Sequence, residues 1–487
     1  MTSKLSPIVL CLLVVLTVNP TFAQDNWLGG TGNWSNGADW SAGEPVLGSD
    51  VMIYSGGNDN VTLDVGANIN SLMLGGPTNG FISELTDGGS PQTLTITTFL
   101  TVGQNGQLVL SGASNVTAGT FTNSGTVNVG GGASLNLTGQ PGGITDVVAG
   151  SSFGIAGSFT AGLNSAFANL TSIEGQVTLS GQNDTIAPNG GTLTNSGNFG
   201  IGGGSTVSIT GDMLNSGVLG TNYFVGGSND TLNVSGILTN SGQVFLQGSG
   251  DVANLGTLAN SGTVHVANGS TLNVAGNVTN SNYMYTNGGA INITGGLTNS
   301  GSFNLNNPGD SASMQTLANT GGVSVANGAT FSSLVVNNGG AVNIDSLSKF
   351  VVGTGVAGAP GYYQFANGTL GEFINMSNIA VITVDPASVS LDGTLKVLLQ
   401  PGYNPAVGST FEFIVFTPGD LSGVFASLQN ALFNNNTERW TVIYSNTGGY
   451  VELAAVANPT VPEPASLLLL GSGLLTMGYG VRRRLKR

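Results

Sequence analysis

Basic residues are nearly missing from this chain of 487 residues: nine Lys and Arg stand against 24 Asp and Glu, and charged residues make up only 7%. Residues 5 to 348 contain no Lys or Arg at all. Proteins that bind polyanions set Lys and Arg against phosphates and release counterions, so nucleic acid is excluded as a partner. Cysteine is scarcer still. The single one, Cys11, falls in an N-terminal apolar run, so the remainder can build neither a disulfide framework nor a thiolate metal site. One histidine, His265, serves the whole length, which leaves a Ser-His-Asp triad with one candidate base. No Walker loop, HExxH or CxxC pattern occurs, and Gly-x-Gly matches mean nothing among 79 glycines. Those glycines follow no three-residue period, which excludes collagen.

What is present points to ordered β-structure. Apolar residues reach 40%, with Val, Leu, Ile and Thr spread throughout, too hydrophobic a mixture for a disordered tail. At the N-terminus, Lys4, the apolar run Ile8 to Val18 and Thr21-Phe22-Ala23 match the three regions of a secretory signal peptide over residues 1–23. The run is too short to span a bilayer. Between Gln24 and Val461 the only basic residues are Lys349, Lys396 and Arg439, giving a formal charge of about −20 there. Such a surface repels anionic polymers and favours solubility outside the cell.

Self-comparison shows a repeat. LTNSG at Leu193 recurs as MLNSG at Met213, LTNSG at Leu238, LANSG at Leu258, VTNSN at Val278, LTNSG at Leu297, LANTG at Leu317 and VVNNG at Val335, in steps of 18 to 25 residues. Within TLANSGTVHVANGSTLNVAG, Val264 and Val266 flank His265, and Leu272 and Val274 flank Asn273, a strand period of two. No helical spacing and no leucine-rich frame appears. The expectation is an all-β parallel β-solenoid of about 20-residue coils with a β-rich C-terminal cap, plus one C-terminal transmembrane helix. About 14 coils between Val61 and Ile344 would make a shaft of roughly 70 Å.

In that frame Asn195, Asn215, Asn240, Asn260, Asn280, Asn299 and Asn319 point inward at one corner, one above another, as a hydrogen-bonded amide ladder. The Gly after each is expected to turn the chain through positive φ. His265 falls at an outward position, in a column expected to hold Asn128, Phe245, Met284, Asn304 and Ser324, where it reads as a surface residue. The tryptophans lie outside the repeats, Trp27, Trp34 and Trp40 before them and Trp440 after, as aromatic covers for terminal coils.

Catalysis on a β-helix has little to work with. A lyase needs an Arg or Lys base, absent from residues 5 to 348, and a glycosidase needs paired carboxylates. Asp184, Asp212, Asp230, Asp251, Asp310 and Asp345 are scattered without an Asp-Asp pair. The NDT and GGSND stretches at Asp184 and Asp230 leave Ca²⁺ as the one conceivable cofactor; no other is indicated.

The termini carry resemblances. NWLGGTGNWSNGADW followed by Gly/Asn-rich coils resembles the β-helical passengers of autotransporter-like and filamentous-haemagglutinin-like surface proteins, and Ser390 to Phe416 resembles their closing segment. The tail VPEPASLLLLGSGLLTMGYGVRRRLKR is similar to the PEP-CTERM sorting signal: Pro462-Glu463-Pro464, an apolar helix over 465–481, and the basic residues Arg482, Arg483, Arg484, Lys486 and Arg487. The apolar run is at the short end for a spanning helix, and the basic cluster stays cytoplasmic by the positive-inside rule. The resemblance implies recognition of Pro462, Glu463 and Pro464 by an exosortase, passage across the inner membrane with transient anchoring there, then release to the surface or medium. The alternative is a permanent tail anchor.

The expected organisation is a signal peptide (1–23), an N-terminal Trp-rich cap (24–60), β-solenoid repeats (61–350), a β-rich cap region (351–458) and the sorting signal (459–487). Two functions remain: a non-enzymatic structural protein of the surface or matrix, or an adhesin that binds extracellular polysaccharide, using aromatics such as Phe245, Tyr283 and Tyr285. A lyase or glycosidase ranks behind both.

Overall fold

The structure is a computed structural model that describes residues 24–76, 80–224, 226–353, 359–376 and 378–459. The signal peptide, the sorting motif, the helix expected over 465–481 and the basic tail lie outside these residues. Among the described residues no helix is long and apolar enough to cross a membrane. The chain divides into two compact units, Met1–Gly143 with Gly150–Ala166, and Ile144–Ala149 with Phe167–Arg487. Both are all-β, and the described residues make about 17 parallel turns of about 22 residues.

In the first unit one ladder runs in parallel through Gly30–Asn33, Asp59–Thr62, Ser83–Thr86, Gly106–Leu110, Thr126–Val129 and Ser152–Ile155. An 8-stranded sheet forms the other wall. Apolar residues stack between them by the period of two: Leu85, Leu108, Val127 and Phe153 are all buried. The first coil is closed by its tryptophans. Trp40 packs edge-on to Trp27 at 4.9 Å and to Trp34 at 5.0 Å between ring centres. The chain at Asp39–Ser41 returns antiparallel against the first strand, with Leu28 N–H donating to Asp39 O and Ser41 N–H to Asn26 O, both at 2.9 Å. An otherwise open edge is thereby paired.

In the second unit a 23-stranded sheet faces the ladder that contains Gln243–Leu246, Thr263–Ala267 and Tyr283–Asn287. Val264 lies between Val244 and Met284, and Val266 between Leu246 and Thr286, all buried. Parallel coils continue through Lys349–Val352 and Thr394–Leu399 to Ser427–Gln429. Their steps are longer there, as where Leu370 pairs with Leu395, which lengthens the mean turn beyond the NSG spacing. The winding ends in antiparallel pairing of Thr410–Phe416, Glu438–Ser445 and Tyr450–Ala457. Trp440 is buried there, stacked on Phe433 at 4.6 Å.

Three local expectations need correction. The glycines of the NSG corners, such as Gly242 and Gly262, do not have positive φ; in that stretch the left-handed residues are Asn268 (56°) and Gly269 (83°). Gly262 is required by close approach instead, because a Cβ there would overlap the carbonyl oxygen of Gly242 in the coil before. In VVNNG it is Val336, not Val335, that pairs with Leu317, so Asn338 follows Asn319 in register. In the outward column, His265 pairs with Tyr285 and not Met284, which is buried.

Candidate functional site

Four sets of polar and aromatic side chains are candidates for function, and their geometry separates them. The first is the inward amide column. Asn195 Nδ2 donates to Asn215 Oδ1 and Asn215 Nδ2 to Asn240 Oδ1, both at 2.7 Å. The chain then passes through Asn260, Asn280, Asn299 and Asn319 at 2.8 Å per step. It runs on to Asn338 and Gln364, each at 2.9 Å, and Tyr362 closes it by donating its hydroxyl to Gln364 Oε1 at 2.8 Å. The second hydrogen of each Nδ2 reaches a backbone carbonyl of the next coil, as Asn240 does to Thr263 O at 3.0 Å. The asparagine amides are buried and have no donor left for a ligand, whereas Gln364 Nε2 at the end of the column is buried without a hydrogen-bond partner.

The second set is an aromatic row. Phe245, His265 and Tyr285 share one outward column, and Gly220, next in that column, leaves room for the Tyr223 ring. Tyr223 stacks on Phe245 at 4.6 Å and 4°, and His265 stacks on Tyr285 at 4.2 Å and 13°. Phe224 meets Tyr223 edge-on and Tyr283 leans on Tyr285. Sugar stacking needs a free ring face. Here Tyr223 and Phe245, and His265 and Tyr285, each turn one ring face on the other, which takes those faces out of play. Burial lowers the pKa of His265 against the opposing charge of Asp310, so the ring is neutral at pH 7. Its Nε2 is buried without a hydrogen-bond partner and its Nδ1 lies 3.4 Å from Gln247 Nε2.

Carboxylates at the coil corners form the third set, and both units use them alike. In the first unit, Asp87 accepts N–H groups from Gly89, Ser111 and Gly112 and the Ser111 hydroxyl. Burial pushes the Asp87 carboxyl up, but these donors outweigh it and hold it at about 2. In the second unit, Asp310 accepts from Gly288, Gly289, Asn306 and Asn307. Asp251 accepts from Asp230 N–H and Gly248 N–H, and Asp230 from Gly204 and Ser205. Burial and then the Asp251 charge raise the Asp230 pKa. These carboxylates pin loops by backbone donors. Asp184 lies on a different strand, paired with Val207, and no group of three or more His, Cys, Asp or Glu among the described residues is placed to hold a metal ion.

The fourth set was not foreseen from sequence. On the outer surface of the 23-stranded sheet, Asn254 Nδ2 donates to Asn233 Oδ1 at 2.9 Å, Asn273 Nδ2 to Asn254 Oδ1 at 2.9 Å, and Asn292 Nδ2 to Asn273 Oδ1 at 3.0 Å. Ser208 and Ser313 end the row as acceptor and donor. The signal lay in the recurring TLNV, VANL, TLNV and AINI, where one Asn sits between two inward apolar residues.

Comparison with known proteins adds the placement of the chain. No curated protein sequence matches it significantly. The crystal structure of the Haemophilus influenzae Hap adhesin is similar over 85% of this chain and 60% of that one, at 12% identity and a TM-score of 0.26; the chain thus spans 60% of that structure's length. Residues 460–484 match the PEP-CTERM protein-sorting motif, which contains Pro462, Glu463 and Pro464. The chain therefore carries a PEP-CTERM protein-sorting motif, a signal that implies export and processing by an exosortase.

Proposed function

We propose that the protein is a non-enzymatic structural component of the cell surface or extracellular matrix, held briefly in the inner membrane by its C-terminal apolar segment and then released. The observation that carries this reading is the sorting motif at residues 460–484 joined to a parallel β-solenoid. In that solenoid the conspicuous inward polar groups hold coils together. The Asn amides bridge coil to coil and the corner carboxylates bind backbone N–H groups. Neither arrangement leaves a nucleophile, base or paired acid facing a substrate. A deletion strain tests the reading: it should lose cohesion or mass of the extracellular matrix, and the full-length protein should restore it. Lyase or hydrolase turnover of a polysaccharide by the protein would sink the non-enzymatic part.

A second reading, a carbohydrate-binding adhesin, is favoured by the outward polar row Asn233, Asn254, Asn273 and Asn292 more than by the aromatics. Glycan-array binding that disappears when an outer face is altered would support it.

A further inference from the structure

The outer asparagine row differs from the inner one in what it leaves unused. A primary amide has two N–H donors and two acceptor lone pairs. In the inner column, Asn260 uses one N–H on Asn280 Oδ1 and the other on Tyr283 O. In the outer row Asn254, Asn273 and Asn292 each donate once, to the preceding amide, and each accepts once, from the following side chain. One N–H and one lone pair per rung are therefore left toward solvent. Asn254 and Asn292 are exposed and Asn233 and Asn273 half-buried.

The row is preorganised. Each amide plane is fixed by its neighbours, so the side-chain entropy that binding would otherwise cost is already lost in folding. Its rungs repeat at the strand spacing of about 4.8 Å. The outward positions beside it, Thr231, Val252, Thr271, Ala290 and Ser311, are small and uncharged, which keeps the track open. No Lys or Arg flanks the row itself; on this sheet the column of Ser311 reaches Lys349 only two coils further on, and the acidic balance of the protein repels an anionic polymer.

We infer that the outer ladder Asn233-Asn254-Asn273-Asn292 is a binding track for a neutral, extended polysaccharide laid along the coils. Each spare N–H and lone pair makes a donor-acceptor pair for sugar hydroxyls, and a β-linked pyranose chain advances by nearly the same step as the coils. The inference rests on the surface or matrix reading above and names its polymer by chemistry.

The test uses the full-length chain, with cellulose as the neutral probe and alginate as the anionic one, in co-sedimentation at physiological salt. Wild type should sediment with cellulose and not with alginate. The double variant Asn254→Thr with Asn273→Thr, which keeps strand propensity, should lose at least tenfold in apparent affinity at an unchanged Tm. Tyr223→Ala with Phe245→Ala should bind like wild type. If the folded Thr variant binds as well as wild type, or the aromatic variant alone loses binding, the track is wrong while the surface reading stands. Equal binding to alginate, or none to cellulose, also overturns it. Failure of export would instead be read from cell fractions, independently of binding.

Discussion

Glu372 carries the sharpest consequence of a single side chain. It occupies an inward position between Ile344 and Val397, is fully buried, and neither carboxylate oxygen has a hydrogen-bond partner. Burial raises its pKa well above the usual carboxylate range, so the folded state holds it protonated while the unfolded chain ionises it. Stability is then greatest below the unfolded pKa and falls as pH rises toward the folded value, by about 1.4 kcal/mol per pH unit. Thermal melts from pH 4 upward should show this decline, and Glu372→Gln should flatten it; an identical slope in the variant would contradict it. At the corners, Gly262→Ala should cost about 1–3 kcal/mol, because the methyl overlaps the Gly242 carbonyl oxygen. Asn260→Leu, which strands the Asn240 donor and the Asn280 acceptor, should cost about 2–4 kcal/mol, read by denaturant unfolding. Sequence reasoning misjudged the corner glycines because glycine answers two needs, positive φ and close approach, which look alike in a one-letter string. Tyr285 was open to view, since the 20-residue step that links Asn260 to Asn280 also carries His265 to Tyr285.

At the scale of strands and coils, the alternation in TVHVANGSTLNV made the fold class legible, because only a period of two buries Val264, Val266, Leu272 and Val274 together. Two features were not legible. The continued winding after Lys349–Val352 has no NSG corner to mark it, and its coils pair through backbone ladders that many apolar sequences can fill. The outer Asn row reads in sequence as ordinary solvated polar residues, and only the register brings Asn254 onto Asn233. Coils in such a stack touch chiefly their neighbours, so damage should stay local. Trp34→Ala, which removes a fully buried ring from the first coil, should cost about 3–5 kcal/mol. Hydrogen exchange should lose protection first in Gly30–Asn33 and Asp59–Thr62, which pair directly. Uniform loss throughout the first unit would contradict a nearest-neighbour stack.

For the whole molecule, a chain with no Lys or Arg from residue 5 to 348 keeps five of its nine basic residues for the last six positions, inside or just after the sorting motif at 460–484. On the proposed function, the tail directs placement and the coils supply the body that is placed. Removing the tail leaves a strongly acidic protein suited to the aqueous side of the membrane. The most direct measurement is mass spectrometry of the protein's C-terminus in extracellular fractions from strains with and without the exosortase. The extracellular protein should end near Pro462-Glu463-Pro464 and lack Arg482 to Arg487 when the enzyme is present, and the uncut chain should stay with the membrane when it is absent. An intact Arg482–Arg487 terminus on the extracellular protein would contradict the proposal.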